Sequence, residues 1–222
     1  VAVAYDSLKA TLAQQSKLPK DLLRSGLQPI LMTLADRHRL TSAGLDGLAH
    51  LLQLLTNYFK VEIGIKLLDH LSALAEPAML RRAAAGPLDT HEKLRILTAI
   101  VRVFHLLPDT AYQFLPRLLV YVAEIESHLR RSGPTPLTDM LTLFLDHFSE
   151  HTVRYYFESD GHVRFTDVLQ NPRLFRLLRL ALQSPRGASL RRELSRRAET
   201  LFLPLLSDAS NTQSVYAALQ LI

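Results

Sequence analysis

The stretch SGLQPILMTLADRHRL (Ser25–Leu40) sets a proline in the middle of an otherwise apolar helical run. A proline in a helix interior removes a backbone hydrogen bond, here the one to the Ser25 carbonyl, at a cost of about 3 kcal/mol. The pattern recurs: LQPIL (Leu27–Leu31) holds Pro29, FLPRLL (Phe114–Leu119) holds Pro116, and FLPLLS (Phe202–Ser207) holds Pro204. The intervals between these prolines are 87 and 88 residues. Two places before each proline stand Leu27, Phe114 and Phe202, and two places after stand Leu31, Leu118 and Leu206. Each such pair lies four residues apart, on one helix face.

Half of either interval is about 44 residues, within the roughly 40–47-residue period of HEAT and armadillo units. Stacking offsets the cost of a kinked helix, because its apolar face is buried against the units on both sides. The half-period positions near residues 72 and 160 carry no proline, so the repeat is degenerate. By this reading the carbonyls of Ser25, Tyr112 and Thr200 lose their helical partners.

Composition agrees. Of 222 residues 48% are apolar, glycine is sparse at eight, and the β-branched and aromatic clusters that mark successive strands are nearly absent. Such a chain reads as all-α. It has no uninterrupted apolar run long enough for a membrane span. The absence of cysteine excludes disulfides, thiolate-bound zinc and thiol catalysis, and suits a reducing compartment. The start, VAVAYDSLKA, has neither an initiating methionine nor the charged and apolar regions of a signal peptide, so the chain reads as a piece of a longer one. The net charge of +5 arises from twenty arginines and only six lysines. That balance favours planar fork donors, and hence acidic partners.

Helical periodicity runs almost throughout. Leu45, Leu48, Leu52, Leu55 and Phe59 line one face of a helix from Thr41 or Ser42 to Phe59. A neighbour from Val61 to Ala75 carries Ile65, Leu68, Leu71 and Ala75 on one stripe, with a tight junction at Lys60. Asp89 with Glu92 forms a capping-box pattern, Thr135-Pro136 and Asn171-Pro172 place a side-chain acceptor before a first-turn proline, and Leu18-Pro19 and Glu76-Pro77 are weaker starts. Gly44 and Gly47 within a helix point to close helix packing. Eleven to thirteen helices of about 14 residues follow, joined by short loops such as SDGH (Ser159–His162), with AAAGPLD and RRSGPTP as the longer connections. The expectation is one unbroken section of solenoid over residues 1–222, a right-handed superhelix of about five two-helix HEAT-like units.

Catalytic patterns are thin. HFSEH (His147–His151) matches the H-x-x-E-H arrangement of inverted zinc peptidases, in which His147 and His151 would bind zinc and Glu150 would act as general base. Ser149 marks a helix boundary inside that motif, no third ligand is identifiable, and the other seven histidines are scattered. The chain has no G-x-x-x-x-G-K loop, G-x-G-x-x-G loop or G-x-S-x-G elbow. The expectation is a noncatalytic segment without a cofactor or metal.

Charge is more informative. Between Asn171 and Arg197 stand Arg173, Arg176, Arg179, Arg186, Arg191, Arg192, Arg196 and Arg197 against Glu193 alone. On the first helix there, Leu174, Leu177, Leu178 and Ala181 form the buried stripe, and Arg173, Arg176 and Arg179 run beside it at spacing three. Such a ridge can bind phosphates or acidic, partly hydrophobic peptide segments, or it can be a solvated face. The thin aromatic interleaving argues against single-stranded nucleic acid, since Phe175 falls on the apolar side. The partner-binding candidates are Arg173, Arg176, Arg179, Arg191, Arg192, Arg196 and Arg197.

From Leu18 to Leu71 the run LPKDLLRSGLQPILMTLADRHRLTSAGLDGLAHLLQLLTNYFKVEIGIKLLDHL resembles the TRRAP family of giant transcription-associated pseudokinases. LQPILMTLAD, LAHLLQLLTNYFKVEIG and KLLDHL are its most specific pieces, and FHLLP (Phe104–Pro108) extends it. The resemblance implies a long helical-repeat solenoid ending in an inactive kinase-like domain. It also implies a nuclear scaffold of SAGA-type histone acetyltransferase complexes, with coactivator subunits and acidic transcription activators as partners. A HEAT scaffold of another class, a transport receptor or a phosphatase scaffold, is the alternative.

Overall fold

A computed structural model describes residues 36, 39–55, 62–159, 162–163, 167–207 and 212–221. Pro29, the Leu18-Pro19 start and the Lys60 junction lie outside these residues, as do Phe59 and the side chain of Leu55. The described α-helices are α1 (Ser42–Leu55), α2 (Glu62–Leu74), α3 (Pro77–Ala84), α4 (Glu92–Val103), α5 (Leu115–Leu129), α6 (Pro136–His147), α7 (Ser149–Phe157), α8 (Asp167–Gln170), α9 (Pro172–Gln183), α10 (Ala188–Arg196), α11 (Ala198–Ser207) and α12 (Thr212–Leu221). Three 3₁₀ turns cover Leu88–Thr90, Phe104–Leu106 and Asp109–Phe114. After α7 the chain reverses through a short antiparallel pair, β1 (Glu158–Ser159) with β2 (His162–Val163).

Two rows of helices follow from the contacts. In one, α1 packs on α4, α4 on α6 and α6 on α10; in the other, α2 and α3 pack on α5, and α5 on α9. The rows meet where α2 touches α4 and where α6 touches α5 and α9. The first row begins at residues 42, 92, 136 and 188, so successive members step by 50, 44 and 52 residues. This is the two-layer stack of a HEAT-like solenoid, and each unit buries its apolar face mainly against its neighbours.

The proline reading holds in period and needs correcting in one detail. Pro116 does not interrupt a helix: it is the second residue of α5, and the turns before it are 3₁₀. The Tyr112 carbonyl accordingly keeps a partner, the Leu115 N–H. A first-turn proline has no helical hydrogen bond to lose. Pro204 does lie inside a helix, α11.

Capping chemistry explains several starts. Thr135 caps α6, its hydroxyl accepting from the Thr138 N–H at 3.2 Å while the Thr138 hydroxyl accepts from the Thr135 N–H at 2.8 Å. Asn171 Oδ1 caps α9 by accepting from Arg173 and Leu174 N–H at 3.0 and 3.4 Å. Glu76 precedes Pro77 but makes no side-chain cap. The Asp89–Glu92 box does not form: Leu88–Thr90 winds as 3₁₀, α4 starts at Glu92, and Glu92 accepts from Ser42 Oγ at 3.1 Å. The helices are also shorter than 14 residues on average, running from 4 to 15, because turns at Phe104 and Phe148 split the apolar runs.

Leu45, Leu48 and Leu52 are buried as the periodicity requires. On α2 the buried stripe is Ile63, Gly64, Leu67, Leu68 and Leu71, while Ile65 faces out at 45% exposure. Phe104 joins the rows at the centre, edge-on to Phe114 at 5.8 Å and to Phe144 at 6.1 Å. Close glycine approaches occur, though not at Gly44 and Gly47. A Cβ on Gly47 would meet nothing within 4 Å, and one on Gly44 would meet only its own cap, Thr41. At Gly64 it would run into the Phe114 ring at 2.3 Å, and at Gly187 into the Ala181 carbonyl at 2.1 Å.

Candidate partner-binding face

On α9 the sequence stripe is exact: Leu174, Leu177, Leu178 and Ala181 are buried. The arginines beside it divide into two groups. Arg176, Arg191 and Arg197 turn toward partners within the chain. Arg173, Arg179, Arg186, Arg192 and Arg196 are exposed.

Arg176 belongs to a ladder that repeats at the period of the stack. In the connection after α3, the Ala84 and Gly86 carbonyls accept from Arg131 Nη2 at 3.0 and 2.9 Å. One unit later, in the connection after α5, the Arg131 and Gly133 carbonyls accept from Arg176 Nη2 at 2.6 and 3.2 Å. The donors are 45 residues apart, and in each connection the two acceptors are two residues apart. Loop carbonyls that no helix pairs are thus satisfied by a guanidinium from the next unit, with the added strength of a charged donor.

Arg176 also faces Glu126, whose side chain is 2% exposed, with Nη1 3.5 Å from Oε2. Oε2 has no hydrogen bond, whereas Oε1 accepts from the Thr135 hydroxyl. Burial pushes the Glu126 carboxyl above its usual range, and Thr135 and Arg176 only partly offset this. Glu126 therefore ties α5 to the cap of α6 and to α9.

Arg191 is a local clamp. Its Nη1 donates to the carbonyls of Leu182, at 2.8 Å, and Ser184 at the end of α9. It holds the turn in which Gly187 lies against Ala181. Gly187 has no side chain to cap α10, so Asp146 of α6 accepts from the Leu190 N–H at 2.8 Å, 44 residues away. Arg197 pairs with Glu158 of β1. Arg196 forks onto Glu193 at 3.0 and 2.7 Å, and that carboxylate raises its pKa further above the usual arginine value.

Of the outward group, Arg192 reaches only its own helix, through Ala188 O and Ser189 Oγ at 3.4 and 3.2 Å. Arg173, Arg179 and Arg186 form no ion pair among the described residues. A cavity of about 410 Å³ opens between α5 and the start of α9, with Arg130, Arg131, Arg173 and Arg176 in its wall, Ser132 at its edge and Glu126 on its floor. Arg130 closes α5 in the left-handed region, at φ 51° and ψ 33°. A non-glycine residue there carries strain of about 1–2 kcal/mol. Sequence reasoning passed over Arg130 and Arg131 because they sit in a loop. The available signal was the repeated Gly-Pro, Gly86-Pro87 and Gly133-Pro134, 47 residues apart.

The H-x-x-E-H motif is split. Phe148, at φ −102° and ψ 42°, ends α6 and leaves His147 and His151 on different helices. His147 packs edge-on against Phe148, the His151 ring stacks on Tyr112 at 3.9 Å, and Glu150 pairs with Arg154 at 3.0 Å. Among the described residues, no group of three or more histidine, aspartate or glutamate side chains is placed to hold a metal ion. No helix among them is long and apolar enough to cross a membrane.

Comparison with known proteins gives the stack a family. The chain is 44% identical over 175 residues, 77% of its length, to the SAGA complex/NuA4 acetyltransferase complex subunit Tra1 of Schizosaccharomyces pombe. It is 42% identical over 156 residues, 70% of its length, to the corresponding subunit of Saccharomyces cerevisiae. It is 24% identical over 201 residues, 88% of its length, to the transformation/transcription domain-associated protein of Danio rerio. It spans only 4–5% of the length of these relatives. All 222 residues match the family described as the Tra1 HEAT repeat ring region, and the chain belongs to that family.

Proposed function

We propose that this chain is a noncatalytic scaffold section of a nuclear histone acetyltransferase coactivator subunit, and that its α9–α10 arginine face docks acidic segments of transcription activators or of neighbouring subunits. The family and the printed names of the relatives support the scaffold and its complex. The observation that carries the docking face is the set Arg173, Arg179 and Arg186, exposed and without an ion pair among the described residues. Guanidinium forks left in solvent suit carboxylate-rich segments, and the half-buried Phe175 and Leu182 beside them offer apolar contact.

The test is binding of a synthetic acidic peptide, interspersed with leucine and phenylalanine, to the full-length parent protein in its complex. The variant carries Arg179→Glu and Arg192→Glu, both exposed and outside the internal ladder. Its affinity at low salt is expected to fall about tenfold, with the difference shrinking as salt rises. Unchanged affinity with an intact complex refutes the docking face.

A further inference from the structure

The cavity between α5 and α9 goes beyond a generally basic surface. We propose that it is a recognition site for a phosphorylated serine or threonine on a partner protein. The proposal rests on the reading of this side of the stack as a docking surface, and it assigns a site and a ligand chemistry that this reading does not contain.

Four arginines from three places in the sequence converge there: Arg130 and Arg131 from the α5–α6 connection, Arg173 from the first turn of α9, and Arg176 one turn on. A phosphoryl group carries close to two negative charges and three acceptor oxygens, so it needs several forked donors at once, which one carboxylate does not. The donors are available. Arg130 and Arg173 are exposed and form no ion pair among the described residues. A guanidinium has five N–H groups, and Arg131 commits only Nη2 to the Ala84 and Gly86 carbonyls. Arg176 is already fixed by the Arg131 and Gly133 carbonyls and by Glu126, so it supplies a positioned positive charge.

Glu126 is the one carboxylate in the lining. It lies on the floor, engaged by Thr135 and Arg176, and leaves the mouth positive. The backbone N–H groups of Arg173 and Leu174 are taken by Asn171, so guanidinium groups and not the helix end would hold the phosphate. A volume of about 410 Å³ suits a single phosphorylated side chain rather than a whole helix, which needs an extended groove. Arg130 points the same way: a long cation occupies a left-handed position that glycine fills more easily, and such strain is characteristic of functional sites.

Occupancy would join the α5–α6 connection to α9 across the point where the arginine ladder already couples two units. A phosphorylated partner would therefore stiffen this part of the stack as it docks.

The experiment uses the full-length parent protein in its complex, immobilised and offered degenerate peptide libraries centred on phosphoserine, serine or glutamate, together with a single-stranded oligonucleotide. Arg130→Asn with Arg173→Gln removes the two free forks, asparagine being chosen because it tolerates the left-handed backbone. Arg81→Gln, an exposed arginine on α3, controls for the loss of charge. The phosphoserine library is expected to be retained about tenfold over the others. That preference should vanish in the Arg130/Arg173 variant and persist in Arg81→Gln and in Arg179→Glu/Arg192→Glu. Equal retention of the glutamate library, preferential capture of the oligonucleotide, or a preference that survives Arg130→Asn/Arg173→Gln overturns the proposal. A docking face that fails separately shows itself in Arg179→Glu/Arg192→Glu alone.

Discussion

Replacing Arg176 with alanine should cost far more than an ordinary surface change. It removes the donor to the Arg131 and Gly133 carbonyls and strands Glu126, whose carboxylate is 2% exposed and has no other cation beside it. Breaking a buried ion pair from one side costs about 3–5 kcal/mol, and a hydrogen bond to a charged group contributes about 1.5–3 kcal/mol. These overlap, and because the Arg176 side chain is 28% exposed, water replaces part of what is lost. The expected destabilisation is therefore about 3 kcal/mol, at the low end of the buried-pair range. Arg131→Ala, exposed and with no buried carboxylate to strand, should cost about 1 kcal/mol. Adding Glu126→Gln to Arg176→Ala removes the stranded charge and keeps an acceptor for Thr135, so about 1–2 kcal/mol should return. Urea unfolding followed by far-ultraviolet circular dichroism gives each value, with an unchanged slope showing that the same surface unfolds. Arg176→Ala within about 0.5 kcal/mol of the parent, or a double variant no more stable than Arg176→Ala, would refute the reasoning.

Other outcomes follow from single positions. Gly187→Ala drives a Cβ into the backbone carbonyl of Ala181 and should destabilise by about 1–3 kcal/mol in the same unfolding assay. Gly47→Ala, in open space inside α1, should instead stabilise by about 0.5–1 kcal/mol. Glu126 binds its proton more tightly in the folded than in the unfolded chain. Its contribution to stability is thus fully present below the usual value of 4.5 and is lost as pH rises through the higher folded value; the stability difference between parent and Glu126→Gln should fall over that window. His105 has the opposite sign: burial lowers its pKa, so stability is lost as pH falls through 6.5 toward the folded value, and His105→Gln should flatten that loss in unfolding measured across pH.

Much of the fold was legible because periodicity and caps are local. The α9 stripe, the Thr135 and Asn171 caps and the 44-residue spacing all depend on residues a few places apart, or on repetition of one pattern. What escaped was decided between units. Pro116 belongs to a first turn because the preceding residues wind as 3₁₀ toward Phe104, a packing event no local pattern reports. The capping box at Asp89 lost to the same kind of turn, with Glu92 drawn to Ser42 on α1. The arginine ridge was found as a charge run, but its division was not. Arg176, Arg191 and Arg197 have partners 9 to 45 residues away, so their internal roles emerge only when the units stack. The basic cavity was missed for that reason too, since half of its wall comes from the loop at Arg130 and Arg131.

The central claim is that this section of solenoid is a docking surface and that its outward arginines meet the partner. A photoreactive amino acid placed at Arg179, and separately at Arg192, in the full-length protein within its assembled complex tests it most directly. The account predicts crosslinks from both positions to an acidic segment of a bound activator or neighbouring subunit, and none from a probe at Arg81 on α3. Probes at Arg179 and Arg192 that capture nothing in the activator-bound complex, while the complex remains intact, would contradict it.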